Sequence, residues 1–150
     1  MVLPYKTVTK RPEETARLGQ ELADWIKIRS RGDQAKIVCL YGQLGSGKTT
    51  FCQGFAKGLG IGGRLLSPTF IIVRRYELPN NQNFLYHIDL YRVNGKDLSN
   101  LGLEEIFADS SALVLVEWAE KLGALMQKRR IDVHFSAEDD GHAITLKEFQ

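Results

Sequence analysis

The stretch VCLYGQLGSGKTT, Val38 to Thr50, decides the fold. Its first half continues an apolar run that begins at Ile37, as a buried strand requires. Beyond it Phe51, Phe55 and Leu59 recur in four-residue steps, the period of an amphipathic helix. Between strand and helix lies G-x-x-x-x-G-K-T, from Gly42 to Thr49. Strand, glycine loop and helix in that order are the context of a phosphate-binding P-loop. Gly42, Gly45 and Gly47 let the backbone turn tightly, so that successive N–H groups converge. The free N–H groups at the start of the following helix add to the same positive concavity. The segment from Leu44 through Gly45, Ser46 and Gly47 to Thr50 is therefore the expected nucleotide cradle. Lys48 would bring a mobile ammonium to the β- and γ-phosphates, and the Thr49 hydroxyl is a hard oxygen donor suited to Mg²⁺. A plain glycine turn needs none of Lys48, Thr49 or their spacing.

Working outward, 150 residues are enough for one domain with a proper core. The 43% hydrophobic and 25% charged content is ordinary for a soluble globular chain. A net charge of +2 gives no general pull towards nucleic acid. Cys39 and Cys52 flank the P-loop and read as small buried apolar residues, not as a disulfide or a metal pair. No apolar run approaches a membrane span, and the N-terminal MVLPYKTVTKRPEE lacks the apolar core of a signal peptide. The expectation is a cytoplasmic protein.

Upstream, Tyr5 to Thr9 reads as a short strand, and Pro12 suits the first position of a helix. Leu18, Leu22, Trp25 and Ile26 give that helix one apolar face. Downstream, Gly58, Gly60, Gly62 and Gly63 end the P-loop helix. Ser67-Pro68-Thr69-Phe70 precedes an apolar run and reads either as a strand-capping loop or as a switch whose hydroxyls approach the γ-phosphate. Two strands about a Pro79–Asn83 turn predict an antiparallel hairpin. In the second, Leu85, His87, Asp89 and Tyr91 share one face. Asp89 ends a largely apolar strand, where it either caps the next turn or serves the Mg²⁺ shell; His87 reads as structural. Asp97 to Phe107 predicts a turn and a short helix. Ala112 to Val116 is a second buried strand, and Glu117 at its end has the place of a Walker B acid. A helix is expected over Ala119 to Gln127, with Lys128, Arg129 and Arg130 as its solvated basic end. Arg74 with Arg75, or Arg92, are alternative contacts for phosphate or an acidic partner. A final hairpin turns at Asp140-Gly141.

The motifs GQLGSGKTT, SPTF, HIDLYRV and LVEWAEK, in this order in so short a chain, closely resemble the bacterial TsaE (YjeE) ATPases. The resemblance runs from the N-terminal helix to the final hairpin. It implies an α/β, three-layer P-loop NTPase-like fold with a central mixed sheet, forming one domain over residues 1–150. It implies that Lys48, Asp89 and Glu117 are catalytic, that Thr49 and Glu117 hold Mg²⁺, and that Ser67 to Phe70 is a switch. It further implies ATP hydrolysis in support of a TsaB–TsaD complex that makes threonylcarbamoyladenosine on tRNA, with tRNA met only through that complex. Asn-Lys-x-Asp, which reads guanine, is absent, and this favours ATP over GTP. By similarity, the adenine is expected between Pro12 and the hairpin tip at Gly141 and His142. A small-molecule kinase and a nucleotide-switched binding module without turnover share the same loop and are the alternatives.

Overall fold

The computed structural model describes residues 1–29, 32–63, 65, 71–79 and 83–150. The proposed switch, Ser67 to Phe70, lies outside the described residues, as do 80–82 of the hairpin turn. The strands are β1 (Tyr5–Thr9), β2 (Lys36–Tyr41), β3 (Val73–Glu77), β4 (Phe84–Asp89), β5 (Ala112–Glu117), β6 (Arg130–Glu138) and β7 (Gly141–Phe149). The α-helices are α1 (Pro12–Lys27), α2 (Lys48–Gly58) and α3 (Leu103–Ala108). The strands form one sheet in the order β1-β7-β6-β2-β5-β4-β3. Its centre is parallel, with β2 between β6 and β5 and with β4 beyond β5. Its margins are antiparallel, through β1 with β7, β7 with β6, and β3 with β4. This is the expected mixed sheet.

Alternation along the strands sorts the side chains into two cores. Val38 and Leu40 of β2, Leu113 and Leu115 of β5, and Ile131, Val133 and Phe135 of β6 pack with Leu22, Phe51 and Phe55 of α1 and α2. The intervening residues Ile37, Cys39, Val114 and Val116 pack on the other face with Phe107 of α3 and Leu122. Helices, sheet and helices make three layers. Strands buried on both faces read as continuous apolar runs, which is why β2 and β5 were conspicuous in the sequence.

Helices α1 and α2 meet backbone to backbone. A methyl group on Gly54 would lie 1.9 Å from the Ala16 carbonyl oxygen, and one on Gly19 would lie 2.3 Å from that of Phe51. Only hydrogen fits at either position, and the contact fixes the P-loop helix against its neighbour.

Two expectations are corrected. Ala119–Leu125 is 3₁₀ structure, not an α-helix to Gln127, and Gly123 breaks it at φ 54°, ψ −122°. The segment is short, and only Ala119 and Leu122 of it are buried, so little packing holds a regular helix there. The basic cluster is therefore no helix end. Arg130 opens β6 and pairs with Asp132 at 2.8 Å, while exposed Arg129 reaches Asp33.

Candidate functional site

The site lies at the carboxyl ends of the parallel strands, where α/β sheets place their ligands. Its residues follow from the same alternation. Continuing β5 two residues beyond Leu115 puts Glu117 on the α2 face. Continuing β4 beyond Leu85 puts His87 and Asp89 there too. The parallel register sets Asp89 beside Glu117. All three are buried, at 2% exposure for His87, 5% for Asp89 and 6% for Glu117. The P-loop rises from β2, beside β5.

Gly45 (φ 75°) and Gly47 (φ 101°) take left-handed conformations that turn the loop into α2. The first N–H groups of α2 have no partner within a helix, so the 11-residue helix presents its positive end to the loop. Lys48 is 6% exposed, and its ammonium donates to the Gly42 carbonyl and, at 3.0 Å, to that of Gln43. It also stands 4.3 Å above the Trp118 ring. Burial lowers the Lys48 pKa, and the neighbouring Glu117, Glu120 and Asp89 carboxylates oppose that shift. Asp89 Oδ1 accepts from the Tyr91 N–H at 2.9 Å, so the turn-capping reading of Asp89 is correct. The same carboxylate lines the cleft, so capping does not remove it from the site.

The cleft holds about 370 Å³. Every residue from Gln43 to Thr50 lines it, including Leu44, Gly45, Ser46, Gly47, Lys48, Thr49 and Thr50. Asp89, Glu117 and His142, also expected at the site, line it too, joined by Tyr91 and Trp118. Pro12 opens α1 and is not among the lining residues. Ser46 Oγ and His142 Nδ1 are buried without a hydrogen-bond partner among the described residues. Buried polar atoms without partners are costly, and a polar ligand in this cleft would satisfy them.

The sequence reading missed two features. His87 Nε2 lies 2.8 Å from Glu117 Oε2, a buried contact that fixes the carboxylate's orientation. Trp118, at φ 58°, turns back beneath Lys48. His87 was legible as a neighbour of Asp89 on one strand face, but its meeting with Glu117 depends on strand pairing 30 residues apart.

The fold and the cleft define a P-loop NTPase-like protein. Its descent is more specific. Residues 9–144 match the family model described as "Threonylcarbamoyl adenosine biosynthesis protein TsaE", and the chain belongs to that family, which is involved in tRNA threonylcarbamoyladenosine biosynthesis. It is 39% identical to the tRNA threonylcarbamoyladenosine biosynthesis protein TsaE of Bacillus subtilis over 148 residues, 96% of this chain and 84% of that one. It is 33% identical to the Haemophilus influenzae protein of the same name over 131 residues, covering 87% and 80%. The crystal structure of Bacillus subtilis YdiB superposes with a TM-score of 0.77 at 32% identity, covering 100% of this chain and 88% of that one. Among the described residues no helix is long and apolar enough to cross a membrane.

Proposed function

We propose that the protein is a Mg²⁺-dependent ATPase, slow alone and stimulated by a TsaB–TsaD complex whose turnover it maintains. The observation that carries this reading is the convergence of Lys48, Asp89 and Glu117 on the P-loop cleft. The loop and α2 N–H groups bind the phosphate oxygens of ATP. Lys48 leaves the Gly42 and Gln43 carbonyls for the β- and γ-phosphates and stabilises charge developing on them. Lys48 is buried and its charge is disfavoured by that burial, so an anion of the right geometry binds it strongly. Thr49 and Glu117 are hard oxygen donors lining one cleft and would hold Mg²⁺. When bound, Mg²⁺ neutralises phosphate charge and polarises the transferred group. His87 holds the Glu117 carboxylate in place. Asp89 orients the attacking water. His142 and the start of α1 at Pro12 flank the adenine.

The family to which the chain belongs supports the tRNA-modification role. In this reading tRNA is met through the partner complex, in the cytoplasm. Multiple-turnover phosphate release, measured with and without TsaB–TsaD, tests the proposal. Slow release by the protein alone and faster release with the complex are expected. No multiple turnover in either condition would leave a nucleotide-switched binding module, and phosphate recovered on a small-molecule acceptor would make it a kinase. Competition binding checks base preference, with ATP expected to outcompete GTP.

A further inference from the structure

Behind the cleft, α2, β4 and β5 bring together three side chains of a different character. The Cys52 thiol, the His87 imidazole and the Glu117 carboxylate each offer a ligand atom, and these atoms lie within 4.8 Å of one another. Cys52 is 1% exposed, His87 2% and Glu117 6%. The three stand on three regular elements, which hold a constellation better than loops do. We infer that Cys52, His87 and Glu117 form a binding site for a thiophilic divalent cation, zinc, which shares Glu117 with the proposed Mg²⁺ position.

The donor set is the first argument. Thiolate, imidazole and carboxylate are the three ligand types zinc takes from proteins, and their donors around one tetrahedral ion lie roughly 3–4 Å apart. His87 Nε2 and Glu117 Oε2 are already 2.8 Å apart, so the ion enters between groups that now share a proton. The Cys52 thiol lies within 4.8 Å of both. A hard ion such as Mg²⁺ has no use for a thiolate, so the two metals divide by chemistry. The second argument is access. Glu117 lines the nucleotide cleft, so the ion can enter there, and water or a phosphate oxygen can complete its coordination.

Binding involves no oxidation. The Cys52 S–H bond breaks as the S–Zn bond forms, and that proton passes to water; the proton of the His87–Glu117 hydrogen bond moves to His87 Nδ1 as zinc takes Nε2 and the carboxylate oxygen, so the imidazole stays neutral. Glu117 then serves zinc and is withdrawn from Mg²⁺. This consequence rests on the proposed ATPase reading; the metal site does not. Zinc would then behave as an inhibitor of hydrolysis that leaves ATP bound.

Cobalt(II) titration of the metal-free, nucleotide-free protein tests the site, because a cysteine thiolate on cobalt gives a near-ultraviolet charge-transfer band. One equivalent of cobalt should produce that band, and one equivalent of zinc should abolish it. The band should vanish in Cys52→Ser and persist in Cys39→Ser, the other buried thiol. Cys52→Ser should also weaken zinc binding at least tenfold while ATP affinity in Mg²⁺ stays within about twofold of wild type. That unchanged affinity verifies the variant's fold. Absence of the band in wild type, or its survival in Cys52→Ser, would overturn the site. Phosphate release should fall about tenfold with zinc in wild type and not in Cys52→Ser. A cobalt band in a protein that never hydrolyses ATP would leave the metal site standing and remove the ATPase reading instead.

Discussion

Two buried carboxylates, on opposite faces of one sheet, have opposite fates. Asp132 of β6 is 5% exposed and points away from α2. Arg130 grips it with two bonds, Nε to Oδ1 at 2.8 Å and Nη2 to Oδ2 at 3.2 Å, and the Tyr41 hydroxyl adds a third at 3.3 Å. Its charge is consumed by the protein. Glu117 of β5 is buried to the same degree, but no arginine or lysine bonds to it among the described residues, and it borders the cleft. His87 orients it without supplying a permanent charge. Burial alone therefore does not mark a functional acid; burial without a bonded cationic partner, beside a cleft, does. Volume misleads in the same way. A larger cavity of about 480 Å³ opens at the other end of β2, around Trp25, Arg29, Lys36 and Arg130. Its charged groups are engaged already, Arg29 with Glu148 and Lys36 with the Ile26 and Arg29 carbonyls.

The largest expected effect breaks the cleft. Lys48→Ala should lower ATP turnover about a thousandfold, the upper end of what one charge-stabilising donor contributes, with the melting temperature unchanged or raised. Relief of a buried ammonium is the reason for the second part. Wild-type turnover in this variant would remove the P-loop assignment. Next, Glu117→Ala should keep nucleotide affinity, because the loop contacts remain, and slow phosphate release about a hundredfold. Equilibrium nucleotide binding alongside steady-state phosphate release separates the two.

The opposite face should respond the other way round. Arg130→Met leaves Asp132 buried without its charge partner, which costs about 3 kcal/mol. Denaturant unfolding should report that loss, while turnover per folded molecule stays at the wild-type level. A collapse of turnover with stability intact would mean that the two faces are not independent. Between these extremes stands His87, which acts through Glu117. His87→Ala should reduce kcat about tenfold with little change in KM for ATP, in the lower range for a positioning group. His87→Gln, whose amide can still donate to Glu117, should recover much of it. Equal losses in both variants would make the imidazole's role one of packing.

The sequence made the cleft-side motifs legible because they are local. Gly42, Gly47, Lys48 and Thr49 lie within eight residues, and their meaning needs only a strand before and a helix after. Glu117 was legible because an acid ending an apolar strand is unusual. What escaped was set by pairing between distant segments. The His87–Glu117 contact needs the β4–β5 register. The close approach of Gly19 and Gly54 needs two helices whose glycines look, in sequence, like weak points. Arg130 looked like one of three solvated cations because nothing local announces that Asp132, two residues on and on the same strand face, will be buried with it.

A third carboxylate, exposed where the other two are buried, supplies the control. Glu14 stands in the first turn of α1. Its Oε2 accepts from the Lys10 N–H at 2.6 Å and the Arg11 N–H at 3.3 Å, so it covers backbone donors that the helix leaves free. The bond from Lys10 is the main reason its pKa falls below the ordinary 4.5, and solvation of the exposed group keeps the effect small. The sign follows from linkage. A carboxyl whose folded pKa is depressed stabilises the fold above its unfolded value, and that contribution is lost as pH falls through the folded value. Glu14→Gln should therefore melt slightly below wild type at neutral pH. The gap should narrow from about pH 4.5 downward and close once the native carboxyl is protonated. Melting curves of the two proteins across that window test it. A gap independent of pH would show that Glu14 acts through its shape and not its charge, and the ionic contribution would then be confined to the buried carboxylates.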